Sequence, residues 1–345
     1  MKSLKRETPE AVSISFEIPE DLNEQFQYRE GQYLTLRTYR QGEEVRRSYS
    51  FSSSPLEAEP KITVKEVHQG KMSTFLNQEL KPGDTLEVMP PAGRFHCDIL
   101  PQEAKSYFLF GGGSGITPLI SIAKTVLQTQ PGSAVFLLYG NKRVESVIFH
   151  AELEELAQQY PSRFTLQHVW EQVPQPAPPE VTQGITDPFT IHSFLNRHRP
   201  QHLLKEYFVC GPTPMMQAVE RILQEKYIPK KSIHLEYFGT GPEAGTSVEI
   251  PGKSAKLTAM LKGEPVSVQV PEGKTVLDAL LNEGYDVPFS CRSGSCSTCL
   301  GRCTSGKVEM RTNLTLEDDE VAEGLVLTCQ AVPTTEKVEI TYDNI

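Results

Sequence analysis

Ser106-Tyr107-Phe108-Leu109-Phe110-Gly111-Gly112-Gly113-Ser114-Gly115-Ile116-Thr117-Pro118 decides the fold of the middle of the chain. Ser106–Phe110 is a short, nearly continuous apolar run, as expected of a strand buried on both faces. Glycines follow, and a helix-like stretch then runs from Ile116 to Gln128. Further along, strands are expected at Val135–Tyr139, Phe164–Val169, Tyr207–Cys210 and Ile233–Tyr237. Helices are expected near Glu145–Gln159, Phe189–Asn196 and Met215–Glu225. This alternation predicts a doubly wound α/β domain with a parallel sheet. Val173–Gln183 carries Pro174, Pro176, Pro178 and Pro179 and reads as an extended loop.

Toward the amino end the pattern changes. Val12–Ile18, Tyr33–Tyr39, Arg47–Phe51, Ile62–Val67 and Thr85–Met89 are short, rich in β-formers and separated by turn residues such as Gly31, Gly42 and Pro82-Gly83. They predict a small antiparallel barrel or sandwich, with a helix beginning near Met72. Toward the carboxyl end, Thr240–Lys253 holds three glycines and two prolines and reads as a linker. Lys256–Val270 then alternates as a hairpin would, and Thr275–Glu283 reads as a short helix. A length of 345 residues suits two or three domains. The expected division is 1–100, 101–240, a linker over 241–255, and 256–345.

The net charge of −10 argues against nucleic acid or an anionic membrane surface as the main partner. No apolar run is long enough for a transmembrane helix, and the first residues lack a secretory pattern. Five of the seven cysteines lie between Cys291 and Cys329. Such clustering points to metal or cluster ligation in a reducing, cytoplasmic compartment rather than to disulfides. The spacing Cys291-x4-Cys296-x2-Cys299, with Cys329 thirty residues on, is that of plant-type [2Fe–2S] proteins. Zinc is the rival, but structural zinc sites usually use two short cysteine pairs and only one is present. Ser293, Gly294, Ser295 and Ser297 are small enough for backbone N–H groups to face the sulfurs. Cys303 has no place in the ligand pattern and reads as a small buried side chain. The eight histidines are scattered, without a helix-face metal spacing, and read as ordinary surface or core residues.

Pro288–Cys299 resembles plant-type ferredoxins. The resemblance covers about Leu257–Tyr342 and implies an α+β β-grasp fold carrying a one-electron centre. Arg47-Ser48-Tyr49-Ser50-Phe51-Ser52-Ser53 resembles a flavin motif of the ferredoxin–NADP reductase superfamily. Arg47 and Tyr49 share one face of a strand. In the family the arginine grips the FAD diphosphate, the tyrosine stacks on the isoalloxazine, and a serine like Ser50 approaches the reactive nitrogen. Gly70-Lys71-Met72-Ser73 is similar to a segment that binds flavin phosphate at a helix start. An ordinary serine cap is the competing reading there. Lys65 joins Arg47, Ser48, Tyr49, Ser50, Gly70, Lys71, Met72 and Ser73 as a cofactor-binding candidate.

Gly113, Gly115, Thr117 and Pro118 form the superfamily's version of a pyrophosphate turn, in place of G-x-G-x-x-G. Cys210, Gly211, Pro212 and Met215 resemble the segment that holds nicotinamide against the flavin. Glu236 and Phe238 resemble the terminal segment that covers the flavin. Ser50, Cys210 and Glu236 are therefore the candidate catalytic residues. Lys142 and Arg143 follow the second strand and could pair with a 2′-phosphate or be ordinary solvated cations; with no acidic ribose ligand evident at this turn, NADPH is favoured over NADH.

The domain order resembles reductase components of phenylacetyl-coenzyme A oxygenase (epoxidase) systems. It implies electron flow from NAD(P)H through FAD and a [2Fe–2S] cluster to a partner protein, an oxygenase component. Alternatives are a general ferredoxin or desaturase reductase, a phthalate-dioxygenase-type FMN reductase, and a zinc-stabilised binding module. From Lys256 onward there are 8 basic and 14 acidic residues, a net of −6. Glu317, Asp318, Asp319, Glu320 and Glu323 could steer a basic partner or form an ordinary solvated helix face. The linker would let the cluster domain swing.

Overall fold

In the computed structural model the chain is described except for residues 41, 175, 177, 179–180, 199–201, 203, 239–249 and 344. Most of the expected linker therefore lies outside the described residues. The chain forms two compact units, Met1–Glu236 and Tyr237–Ile345.

The first unit opens with β1 (Ser3–Thr8), β2 (Ala11–Ser15), β3 (Tyr33–Arg40), β4 (Glu43–Ser50), β5 (Lys61–Lys65) and β6 (Glu87–Val88). They form two three-stranded antiparallel sheets, ordered β1-β2-β5 and β4-β3-β6. A Phe51–Ile62 bridge joins the sheets into a barrel-like shell around Ile14, Leu34, Leu36, Ile62 and Leu76. Between β5 and β6, α1 (Lys71–Thr74) runs into a π turn, Phe75–Glu79, so the expected helix is short and irregular.

The second half of this unit contains β7 (Ser106–Gly112), α2 (Ile116–Thr129), β8 (Ala134–Asn141), α3 (His150–Gln159), β9 (Phe164–Trp170) and β10 (Val181–Gln183). It continues through α4 (Pro188–Arg197), β11 (Lys205–Cys210), α5 (Thr213–Glu225) and β12 (Ile233–Glu236). The six strands pair in parallel in the order β10-β9-β8-β7-β11-β12. Every residue of β7 is buried, as a strand covered on both faces requires. The chain leaves β7 toward β8 and later returns to β11 on the opposite side. In doubly wound sheets ligands bind in the crevice at the carboxyl ends of strands where the order reverses in this way. Within the proline-rich stretch, Val181–Gln183 adds a short edge strand to β9 where an extended loop was expected. Its pairing offers an unsatisfied sheet edge a partner, which local composition does not report.

The second unit holds β13 (Ala255–Leu261), β14 (Glu264–Val270), α6 (Val276–Asn282), β15 (Leu300–Ser305), β16 (Val308–Met310), α7 (Asp318–Ala322), β17 (Leu325–Leu327), β18 (Ala331–Pro333) and β19 (Lys337–Thr341). Its main sheet is ordered β14-β13-β19-β15-β17, with β13 and β19 parallel in the middle, and Val276, Leu277 and Leu280 of α6 enter its core. This is the β-grasp arrangement. Lys262 and Gly263 take positive φ in the β13–β14 turn, as a two-residue hairpin of matching twist requires. Thr275 caps α6 by accepting from Asp278 N at 3.2 Å.

Candidate functional site

The β7–α2 turn lies directly against the segment after β11. A Cβ on Gly115 would stand 2.0 Å from the Cys210 carbonyl oxygen, so this glycine is required by the approach of two chain segments. Gly113 differs. Its φ is +53°, nothing lies within 4 Å of where its Cβ would be, and Tyr139 Oη donates to its carbonyl at 2.9 Å. The turn is thus pinned from behind and open in front, as a backbone cradle for a pyrophosphate must be. Thr117 Oγ1 donates to Ser114 O at 3.1 Å, and Pro118 is buried in the first turn of α2, so these two hold the turn's shape.

A cleft of about 470 Å³ opens at these strand ends. Gly113, Lys142, Pro212 and Met215 line it, together with Lys65, which thereby belongs to this cleft. Arg143 is not among the lining residues; its guanidinium lies 3.8 Å from Glu145. Asn141, Glu171, Thr186 and Asp187 also line the cleft and were not singled out from sequence. Glu171 comes immediately after β9, so its position at the carboxyl edge of the sheet was the available signal.

Ser50, Cys210 and Glu236 are brought together although 186 residues separate the first from the last. Ser50 Oγ donates to Glu236 Oε2 at 3.1 Å, and Cys210 faces Glu236 in the parallel register of β11 and β12. All three are buried. Burial pushes Glu236 up to about 8, while the Ser50 hydrogen bond pulls it the other way. The Cys210 thiol is held well above its ordinary range by burial and by neighbouring Glu236. At neutral pH the group is therefore an uncharged acid, hydroxyl and thiol.

Along β4 the expected parity holds. Arg47 is exposed and Tyr49 half-buried on one face, while Ser48 and Ser50 lie on the other. Ser48 Oγ is 2.9 Å from Thr35 Oγ1, a cross-strand pair that supports the sheet. In the Gly70–Ser73 turn, Ser73 Oγ accepts from Val67 N at 3.1 Å and donates to Gly70 O at 3.3 Å. That hydroxyl fastens the turn, while Lys71 and Met72 contribute amides to a first turn with no intrahelical acceptors. Phe238 is 42 % exposed and falls in the second unit.

In the cysteine loop, the thiols of Cys291 and Cys296 are neighbours, as are those of Cys299 and Cys329. The first pair is half-buried and the second buried. Tetrahedral zinc, with bonds of about 2.3 Å, would bring all four sulfurs about 3.8 Å apart. Among the described residues no three of these sulfurs lie within 4.8 Å of one another. Two pairs, one for each iron, fit a [2Fe–2S] cluster and not a single ion. Donors surround the sulfurs. Cys291 N reaches Cys296 Sγ at 3.5 Å, Ser293 N reaches Cys291 Sγ at 3.4 Å, and Gln330 Nε2 reaches Cys329 Sγ at 3.6 Å. Gln330 is an addition to the sequence-predicted set. Arg292 and Ser297, each following a cysteine, take positive φ, a strain that turns the loop inward. Cys303 is half-buried, rather than buried, against the core edge on β15, with its thiol 3.5 Å from Ser305 O.

A barrel-like flavin domain, a doubly wound nicotinamide domain and a β-grasp cluster domain define a ferredoxin-reductase-type electron-transfer protein. Family comparison matches residues 3–97 to the oxidoreductase FAD-binding domain, 109–221 to the oxidoreductase NAD-binding domain and 259–334 to the 2Fe-2S iron-sulfur cluster binding domain. The chain belongs to this three-part reductase family and is an oxidoreductase that uses NAD(P)H, FAD and a [2Fe–2S] cluster. It is 36 % identical over 342 residues to the E component of the 1,2-phenylacetyl-CoA epoxidase of Escherichia coli K12, covering 99 % of this chain and 96 % of that one. It is also 36 % identical to the ferredoxin reductase component of 3-ketosteroid-9-alpha-monooxygenase of Rhodococcus rhodochrous, covering 99 % and 95 %. Phthalate dioxygenase reductase shares the fold, with a TM-score of 0.59, 23 % identity, and coverage of 98 % and 95 %. An intact type IV self-sufficient cytochrome P450 monooxygenase reaches a TM-score of 0.70 at 22 % identity, but this chain spans 40 % of it. Among the described residues no helix is long and apolar enough to cross a membrane.

Proposed function

We propose that the chain is the cytoplasmic reductase component of a multicomponent oxygenase, using NADPH and serving a partner of the phenylacetyl-coenzyme A epoxidase kind. The observation that carries this is similarity along the whole length, through all three domains, to reductase subunits of oxygenase systems. The cytoplasm is supported by seven free cysteines, four of them arranged as ligands. The working division is a flavin domain over 1–100, a nicotinamide domain over 101–240, a linker over 241–255 and a cluster domain over 256–345.

When bound, FAD accepts hydride from reduced nicotinamide and releases electrons singly, and the cluster relays them. The chain's residues orient and tune. Arg47 and Tyr49 hold the flavin's diphosphate and ring, with Lys71 and Met72 giving amides to its phosphates. Gly113 and the amides at the start of α2 hold the nicotinamide pyrophosphate. Cys210, Gly211, Pro212 and Met215 shape the nicotinamide end. Glu236 keeps a proton at neutral pH and passes it through Ser50 Oγ, so hydride arrival need not separate charge in a buried site. Cys291 and Cys296 ligate one iron, and Cys299 and Cys329 the other.

NADPH is supported by Lys142 on the cleft wall. Glu171 on the same wall favours NADH as a second reading, because a carboxylate accepts from a ribose hydroxyl and repels a phosphate. Initial rates with each nucleotide decide between them. The broader proposal is tested by reconstituting the purified chain with candidate oxygenase components. Coupled substrate oxidation is expected; brown-red protein that reduces only small ferredoxins would instead mark a general ferredoxin reductase.

A further inference from the structure

Two of the scattered histidines meet in the fold. His150 begins α3, and Glu154, four residues on, shares its helix face. His168 lies on β9 beneath that face. One donor atom from each of the three side chains lies within 4.8 Å of the others. The His150 and His168 rings are 5.5 Å apart between centroids, and Glu154 Oε1 is 3.6 Å from His168 Nε2.

His168 is the unusual member. It is 2 % exposed, and neither ring nitrogen has a hydrogen-bond partner. The carboxylate at 3.6 Å is just beyond hydrogen-bond reach. Trp170, on the same face of β9, covers it at 5.3 Å between ring centroids, and its Nε1 also lacks a partner. Leaving a buried imidazole unsatisfied is costly, because its ring nitrogens lose water and gain no partner. A chain that keeps one aimed at a second imidazole and a carboxylate has assembled a donor set.

We propose that His150, Glu154 and His168 bind a divalent transition-metal cation of the zinc type, with a fourth position open to water. Two imidazoles and one carboxylate suit zinc and its neighbours, whereas magnesium and calcium take all-oxygen sets with more ligands. Tetrahedral zinc, with bonds of about 2.1 Å, needs donors about 3.4 Å apart. The Glu154–His168 pair is already near that separation, and a donor of His150 lies within 4.8 Å of both. The metal ties the start of α3 to β9. The following strand residue, Val169, points to the other face and lines the nicotinamide cleft, so the site lies behind the cleft wall.

The test uses the tag-free full-length holoprotein with its cluster loaded, freed of adventitious metal by mild chelation and titrated with zinc chloride in a calorimeter. Zinc-edge absorption spectroscopy then identifies the ligands. One equivalent bound through nitrogen and oxygen at about 2.0–2.1 Å is expected. Glu154→Gln and His150→Ala each weaken binding by roughly tenfold or more while flavin and cluster absorption stay unchanged. Glu154 is half-exposed, so that variant does not depend on refolding the core. No binding at about 100 μM zinc, unchanged affinity in both variants, or sulfur ligands at about 2.3 Å would each overturn the proposal.

Discussion

The nicotinamide cleft and the cysteine loop solve opposite problems. The cleft receives a ligand that must come and go. It is built from backbone at the ends of fully buried strands, with Gly115 fixing one chain segment against another and Gly113 presenting an open face. The loop keeps a permanent inorganic centre. It is built from four side chains on irregular backbone, held by N–H to sulfur contacts and by strained residues such as Arg292 and Ser297. Rigidity comes from packing in the first case and from ligation in the second, so the two should fail differently.

The largest effect is expected from Cys296→Ser, which removes one proposed ligand from the half-buried pair. NADPH-driven reduction of one-electron protein acceptors should fall by roughly a hundredfold or more, while stopped-flow bleaching of the flavin survives. If bleaching were lost with the fold intact, the regions would not be separable. Next, Gly115→Ala places a methyl where the Cys210 carbonyl lies. It should cost about 1–3 kcal/mol by overpacking and cut flavin reduction, leaving cluster absorption untouched; a normal melting temperature would contradict the close approach.

Next comes Glu236 of the first unit, whose carboxyl is pushed up to about 8 by burial. In the unfolded chain it ionises near 4.5, so between these values the folded state binds more protons and its stability falls as pH rises. Glu236→Gln should remove that slope, gaining on the order of a few kcal/mol over wild type near pH 9 and little near pH 4. Parallel stability curves for the two proteins across that range would refute the raised value. The same variant should slow flavin reduction by roughly tenfold or more if the acid supplies the proton.

A smaller effect is expected from Lys142→Ala, which should raise KM for NADPH several-fold, about 1 kcal/mol, and leave NADH unchanged. Equal changes for both nucleotides would remove Lys142 from phosphate recognition. The smallest belongs to Cys303→Ser, outside the ligand pairs, which should shift stability by no more than about 0.5 kcal/mol and leave the cluster spectrum intact.

The expected elements were legible wherever local pattern and tertiary demand agree. The buried strand Ser106–Phe110 extends to Gly112, and the four cysteine positions follow from spacing alone. The edge strand Val181–Gln183 was hidden because its hydrogen bonds belong to β9 and not to its own proline-rich neighbourhood. Arg143 read as a cofactor cation from its place after the second strand, yet it lies outside the cleft lining while Lys65, from the flavin barrel, lies within it. Direction at a strand end depends on the following turn, which adjacent residues do not fix.

Three modules and their order were legible in the chain alone, because short motifs mark each of them, and the family matches bear them out; four cysteines were expected as sulfur ligands from their spacing along one short loop. The folded chain alone reveals that Ser50 bonds to Glu236, that Gly115 permits the close approach of two chain segments, and that His150 and His168 meet. Each of these depends on contacts across crossovers of the parallel sheet or between barrel and sheet. Residues far apart in the chain become neighbours there through the packing of whole elements, which leaves no local signature in the residues themselves.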